Sequence, residues 1–415
     1  MHTPQLVEHF FRHEYGRLVA ILSRQFGLHR LEAVEDSVQG ALMTALESWS
    51  RAGLPENPEA WLYRVARNNV LGELRQRARH DSILDRHGEA AAEDAEPAMP
   101  MLSEAQIQDD LLRMLFVCCD EDLPVESQRV LALKTLCGFD VREIAHRLFM
   151  SEANVYKRLA RARARFQERP LPLDGLSQEQ YASRLEAVQQ ILYVLFTEGY
   201  LSSHAEAAIR QELCDEALRL ARLLAEHPVG QTPETCALLA LMYLHAARLQ
   251  ARQDDCGLLL LEEQDRSLWD QRMIQTGLEW LAQSARGERF SRFHAEAAIA
   301  AEHCLAPTFE QTRWDKVAEN YALLEQLAPS ALHRLNRAVA TAEWQGPTAG
   351  LAVLEGFEPP SWLALSYIWV AVLADLHGRS GNTSIAQQYR DAAIGAAPNA
   401  AVQKLLQRRL MSGES

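Results

Sequence analysis

Apolar residues recur every three or four positions along nearly the whole of this 415-residue chain, and no alternating run with hairpin chemistry is long enough to make a sheet. That period buries one stripe of a helix and wets the other, so the expected class is all-α. With 48% hydrophobic residues the chain can bury a large core, and it is too long for one compact domain. Breaks in the pattern divide it. Helices from Leu6 to about His80 form a first unit (1–80), punctuated by Gly27 and by Gly53-Leu54-Pro55-Glu56-Asn57-Pro58. An Ala-, Glu- and Pro-rich stretch over 81–102 reads as a linker. A second unit spans 103–169 and breaks at Pro170-Leu171-Pro172. Paired Ala- and Leu-rich helices fill 177–415, where Leu373, Ala374, Ala386, Ala393 and Pro398 fall at the offsets of a tetratricopeptide unit. Arg390 stands where that unit usually has an aromatic.

No stretch approaches the ~18 uninterrupted apolar residues of a membrane span. The first residues, with His2 and Pro4, lack the basic start and apolar run of a signal peptide, so the cytoplasm is the expected compartment. The cysteines, Cys118, Cys119, Cys137, Cys214, Cys236, Cys256 and Cys304, form no CxxC pair and have no histidines at zinc-finger spacing. They read as buried thiols, and neither a metal nor a cofactor is expected.

A formal net charge of -14 argues against nucleic acid until its distribution is considered. From Asp81 to Glu126 there are thirteen acidic residues against Arg86 and Arg113. On one side lie Arg64, Arg67, Arg75, Arg77 and Arg79, and on the other Lys157, Arg158, Arg161, Arg163 and Arg165. Two basic grips joined by an acidic bridge fit a two-site DNA contact.

The second grip has helix-turn-helix chemistry. Asp140 and Glu143 are spaced as a capping box, and Ile144, Ala145 and Leu148 supply an inner face. Phe149-Met150 turns the chain, and Ser151 suits the N-cap of a recognition helix running to Phe166. Val155, Leu159, Ala162 and Phe166 make its buried stripe. Ser151, Glu152, Asn154, Tyr156, Lys157, Arg158, Arg161 and Arg165 are the candidate DNA-facing residues, early ones for base edges and later ones for phosphates. In the first unit Leu31, Val34, Val38, Leu42, Ala45 and Trp49 form an apolar stripe, leaving Glu32, Glu35, Asp36 and Gln39 as an exposed acidic edge suited to a protein partner. The next helix interleaves Arg64, Arg67 and Arg75 with Trp61, Tyr63, Asn68 and Asn69, a pattern that grips phosphates and captures unstacked bases.

These residues resemble a known family. Val34-Glu35-Asp36-Ser37-Val38-Gln39, Ala60-Trp61-Leu62-Tyr63-Arg64-Val65-Ala66-Arg67-Asn68, Arg142-Glu143-Ile144-Ala145 and Val155-Tyr156-Lys157-Arg158-Leu159-Ala160-Arg161-Ala162-Arg163 are similar to bacterial RNA polymerase sigma factors of the extracytoplasmic-function type. The resemblance implies that Glu35, Asp36 and Gln39 bind the core polymerase clamp. It implies that Trp61, Arg64, Arg67, Asn68, Asn69 and Arg75 act on the promoter -10 element and that the second unit reads the -35 element. The acidic linker would thread the polymerase active-site and RNA-exit path.

Further on, Phe196-Thr197-Glu198-Gly199-Tyr200, Leu239-Ala240-Leu241-Met242, Glu263-Gln264-Asp265-Arg266-Ser267-Leu268-Trp269-Asp270, Ala297-Ala298-Ile299-Ala300-Ala301 and Leu335-Asn336-Arg337-Ala338-Val339-Ala340 resemble the subgroup with a tetratricopeptide-like extension. Thr197, where that subgroup has Asn, and Phe149, where generic members have Gly, depart from the pattern. The resemblance also suggests a small YCII-like (DGPF) protein as a partner. Glu198, Tyr200, Asp265, Arg266, Trp269 and Asp270 are a candidate regulatory site, or else a buried salt-bridge network between helices. With no histidine base, nucleophile motif, P-loop or metal spacing, no catalytic residue is expected. An operator-binding regulator remains the rival reading, and it would dimerise on palindromic sites.

Overall fold

Helical periodicity carries through into the computed structural model, which describes residues 3–84, 104–148, 150–168, 176–201, 209–254, 257–397 and 400–411. Among these, the single sheet pairs two-residue strands, β1 (Gln253–Asp254) and β2 (Gly257–Leu258), antiparallel. Everything else of regular structure is helical, so the all-α expectation holds. Most of the linker, Phe149, Pro170 to Pro172, Cys256 and Pro398 lie outside the described residues. None of the described helices is long and apolar enough to cross a membrane, and no described group of acids, histidines and cysteines could hold a metal.

The chain divides into two compact units, Met1–Glu198 with Asp215–Val229, and Gly199–Cys214 with Gly230–Ser415. The first is built on α1 (Thr3–Phe26), α2 (Leu31–Ala52), α3 (Pro58–Leu84), α4 (Glu104–Cys118), α5 (Val125–Thr135), α6 (Val141–Arg147), α7 (Glu152–Glu168), most of α8 (Gln178–Tyr200) and most of α9 (Gln211–Glu226). In its core Leu18, Leu22, Leu31, Leu62, Phe116, Phe139 and Phe166 are fully buried. Each such side chain contributes about 1.5–3 kcal/mol by leaving water.

Both basic halves therefore share that unit. The backbones of α1 and α5 approach so closely that a Cβ at Gly16 would sit 2.4 Å from the Leu136 carbonyl oxygen. Gly138, at φ 64°, then turns the chain back beside the Tyr15 ring. α8 joins the same body, which extends it past the boundary near 177 that the sequence suggests. Arg184 is buried, donating to the Phe116 carbonyl at 3.2 Å and to Asp120 at 3.3 Å, while Tyr181 stands edge-on to Phe116 at 4.8 Å.

The second unit stacks α10 (Pro233–Ala246), α11 (Gln271–Ser284), α12 (Arg292–Leu305), α13 (Trp314–Leu327), α14 (Ala331–Gln345), α15 (Pro347–Leu354), α16 (Ser361–Ala364), α17 (Tyr367–Arg379), α18 (Thr383–Gly395) and α19 (Ala400–Met411). α17 packs on α18 through the small residues of the repeat pattern: Ala374, Ala386 and Ala393 are buried, and a Cβ on Gly378 would meet the Ala386 methyl at 3.7 Å. Leu335, Leu363, Trp369 and Leu376 fill the layer before it. Cys118, Cys119, Cys137 and Cys214 are buried as expected, whereas Cys236 and Cys304 are only half-buried.

Candidate nucleic-acid interface

The helix-turn-helix forms by local hydrogen bonds written in its sequence. The Glu143 N–H donates to Asp140 Oδ1 at 2.7 Å and the Asp140 N–H to Glu143 Oε2 at 2.8 Å, a closed capping box at the start of α6. A 2.9 Å bond from the Met150 N–H to the Ala145 carbonyl makes the turn. The Ser151 hydroxyl then accepts from the Asn154 N–H at 3.3 Å, capping α7. Val155, Leu159, Ala162 and Phe166 are all buried, which fixes the rotation of α7. Ser151, Glu152, Asn154, Tyr156, Lys157 and Arg161 are consequently exposed, with Tyr156 61% accessible. This is the amide, aromatic and cation set that base edges and phosphates accept.

Three candidate residues are engaged elsewhere, Glu152 standing 3.8 Å from Arg142. Arg158 reaches Glu126 at 3.5 Å, and Arg165 pairs with Asp122 at 2.7 Å and Asp120 at 3.6 Å. Acids just before and at the start of α5 thus pair with α7.

In the first half, Asn57 caps α3 by accepting from the Ala60 N–H at 2.9 Å. Arg64, Asn68 and Arg75 are exposed and Arg67 is half-buried. Trp61 is half-buried, edge-on to Trp49 at 5.5 Å, and Asn69 donates to the Ser37 carbonyl at 3.3 Å. Tyr63 belongs to the core: its hydroxyl donates to Gln25 at 3.2 Å, and burial raises its phenol above the ordinary value.

The acidic edge of α2 needs correction. Glu32, Asp36 and Gln39 are exposed, but Glu35 is only 1% accessible. It accepts from the Thr135 hydroxyl at 2.6 Å and from Arg163 Nη2 at 2.8 Å, while the other Arg163 nitrogen pairs with Glu32 at 2.6 Å. Burial alone would lower the Arg163 guanidinium, but Glu35, Glu32 and Asp36 together hold it raised. A second bridge lies nearby, where Arg24 of α1 pairs with the buried Asp110 of α4 at 2.8 Å. α7, which carries the candidate DNA-facing residues, is therefore clamped onto α2, which carries the candidate polymerase-facing ones. Thr135 and Arg163 were not among the sequence candidates. Arg163 flanks the buried stripe, the one local signal of its role, and its partner lies 128 residues away.

The candidate regulatory residues do not form one ion-paired cluster among the described residues. Glu198 is buried in the first unit; Tyr200, Asp265, Arg266, Trp269 and Asp270 belong to the second. No salt-bridge network forms among the last four. Asp265 accepts from the Ser267 N–H at 2.9 Å, and Asp270 caps α11 by accepting from the Arg272 and Met273 N–H groups at 2.9 and 3.0 Å. Arg266 donates to the carbonyls of His303 and Ala306, both at 2.7 Å, with its guanidinium 4.4 Å from the Trp269 ring centroid.

Three family models match the chain. Residues 10–80 match sigma-70 region 2, residues 113–166 match sigma-70 region 4, and residues 184–285 match a family of unknown function, DUF6596. An uncharacterized protein of Rhizobium meliloti is 38% identical over 327 residues, spanning 78% of this chain and 77% of its own length. The ECF RNA polymerase sigma factor SigM of Mycobacterium tuberculosis is 26% identical over 162 residues, 37% of this chain and 76% of the relative. No solved structure matches. None of these matches bears on a YCII-like partner. Regions 2 and 4 imply binding to core RNA polymerase and promoter DNA, and families that carry them are DNA-binding regulators rather than enzymes. The chain belongs to the extracytoplasmic-function type of sigma-70 factors, acting in transcription initiation, and carries a helical C-terminal extension.

Proposed function

We propose that this factor directs core RNA polymerase to specific promoters, with α3 capturing and opening the -10 element and α7 reading the -35 element in the major groove. The observation that carries the reading is the outer face of α7. Asn154, Tyr156, Lys157 and Arg161 stand free of the core on a helix whose rotation is fixed by four buried residues. Asn154 and Tyr156 lie at the N-terminal end, where a groove-bound helix meets base edges; Lys157 and Arg161 follow toward the backbone. On α3, exposed Arg64 and Asn68 offer phosphate and base contacts near Trp61, and exposed Arg75 offers another further along the helix.

The same reading gives the Arg163–Glu35 clamp a role. Core enzyme would engage Asp36, Gln39 and, once released, Glu35. Free protein would keep that surface and the recognition helix locked together, and the C-terminal unit would tune the exchange. Run-off transcription with purified core enzyme tests the proposal. The full-length protein should yield promoter-specific transcripts that Lys157→Ala and Arg161→Ala reduce. Their absence from every genomic fragment, with the full chain and with variants opened at Arg163, would refute it.

A further inference from the structure

Three arginines of the second unit gather where, among the described residues, no carboxylate forms an ion pair with them. Arg248, just past the end of α10, is only 6% accessible, and its Nε is buried without a partner. Among the described residues its guanidinium makes neither a hydrogen bond nor an ion pair, and it lies 5.2 Å from the Trp269 ring centroid. Arg266 approaches the same ring, and its Nη2 is likewise buried and unpartnered. One turn beyond Arg248, Arg252 lies 3.6 Å from the Tyr200 ring centroid and donates to the Tyr200 carbonyl. Tyr200 in turn packs against His245, the ring centroids 4.7 Å apart and the planes tilted by 50°. A 2.9 Å bond from the Asp270 N–H to the Ala247 carbonyl ties the Trp269 segment to the end of α10.

Among the described residues, nearby acids offset this cluster only weakly. Asp265 and Asp270 are spent on backbone N–H groups, and Glu310, the one acid felt by Arg266, is exposed and bonded to Thr308. The adjacent histidines add no charge: burial first, and then the arginines, hold His245 well below its usual range and His303 at about 3. Burying a guanidinium without an anion is strongly unfavourable, so a fold that retains Arg248 in this state is one prepared for an anion.

We propose that Arg248, Arg252 and Arg266, framed by Tyr200 and Trp269, bind the phosphoryl group of a small molecule. Guanidinium forks match tetrahedral oxyanions in geometry, and three of them suit a group of nearly two negative charges better than a single carboxylate. All five residues fall within the stretch matched by the family of unknown function. Gly199 places the first of them, because a Cβ there would lie 2.7 Å from the Cys214 nitrogen and push the Tyr200 turn away.

The test uses the full chain without polymerase, so its failure would leave the transcription reading standing. Inorganic pyrophosphate, a nucleoside diphosphate and a sugar phosphate are titrated separately by calorimetry and thermal melting, against NaCl at matched ionic strength. Saturable binding with a raised Tm is expected, and the tightest arm identifies the source of the phosphoryl group. Arg248→Gln should weaken binding at least tenfold, yet melt above wild type in the absence of anion because it removes an unpaired buried charge. Arg252→Gln, at a half-buried position, provides the same loss of affinity if Arg248→Gln does not fold. Exposed Arg289→Gln should bind as wild type does. No Tm shift beyond that of NaCl in any arm, or unchanged affinity in Arg248→Gln or Arg252→Gln, overturns the proposal.

Discussion

Replacing Arg163 with alanine probes the clamp between α7 and α2 most directly. The change removes bonds of 2.6 Å to Glu32 and 2.8 Å to Glu35. The Glu32 pair is half-exposed and contributes at most about 1 kcal/mol. Glu35 is different: its side chain is 1% accessible, and the variant leaves it a single donor, the Thr135 hydroxyl. Removing one partner of a buried pair costs about 3–5 kcal/mol. Thr135 remains and Arg163 is itself partly solvated, so about 2–3 kcal/mol is the better figure for this site, favouring the open arrangement roughly 30- to 150-fold. If core enzyme binds only the open form, its apparent affinity should tighten by up to that factor. Fluorescence anisotropy of labelled protein titrated with core enzyme measures the affinity, and amide hydrogen exchange over α2 and α7 measures the opening. Faster exchange in both helices with a retained thermal transition is expected. Affinity within threefold of wild type, with unchanged exchange in α2, would refute the reasoning.

Lys157→Ala and Arg161→Ala should each lower the slope of log affinity against log salt for promoter DNA by about 0.9, whereas Arg165→Ala, already paired with Asp122, should leave it unchanged; equal slopes in all three count against α7 as the contact. Phe166→Ala should destabilise the first unit by about 3–5 kcal/mol in urea unfolding, since the ring is fully buried. The second unit should lose stability in acid. His303 is held from 6.5 down to about 3, so the unfolded chain binds the extra proton; stability is complete above 6.5 and declines as pH falls toward 3, by up to about 1.4 kcal/mol per unit. His303→Gln should flatten the acid limb of thermal midpoint against pH, and an unaltered limb refutes the assignment. Asp140→Ala should cost about 1 kcal/mol by opening the capping box, measured by the same urea series.

What could be read from the sequence was whatever depends on neighbours three or four residues apart. The Asp140–Glu143 box, the Ser151 cap and the Val155 to Phe166 stripe are short-range rules, and each is present in the structure. The small residues Ala374, Ala386 and Ala393 were legible for the same reason. Glu35 was misjudged because it lies next to the apolar stripe of α2, where periodicity alone assigns a charge to water. Only a cation brought from 128 residues away reverses that preference. Asp265 and Asp270 looked like partners for Arg266, but the free N–H groups of their own following turns are nearer and claim them. Arg248 had no short-range signature at all: its unusual state is defined by what does not surround it.

The anchorage of α8 bears on how this chain can be dissected. Asp120 is buried and shared between Arg165 of the recognition helix and Arg184 of α8. A truncation placed at the proline-rich break, which looks like a natural seam in the sequence, would strip the Tyr181 ring from Phe116 and leave Asp120 and the Phe116 carbonyl without Arg184. Loss of transcription in such a fragment would then report damage to the packing around α7 rather than the absence of the extension. The seam that respects the packing falls beyond α9, and deletions meant to ask what the extension does must spare α8 and α9.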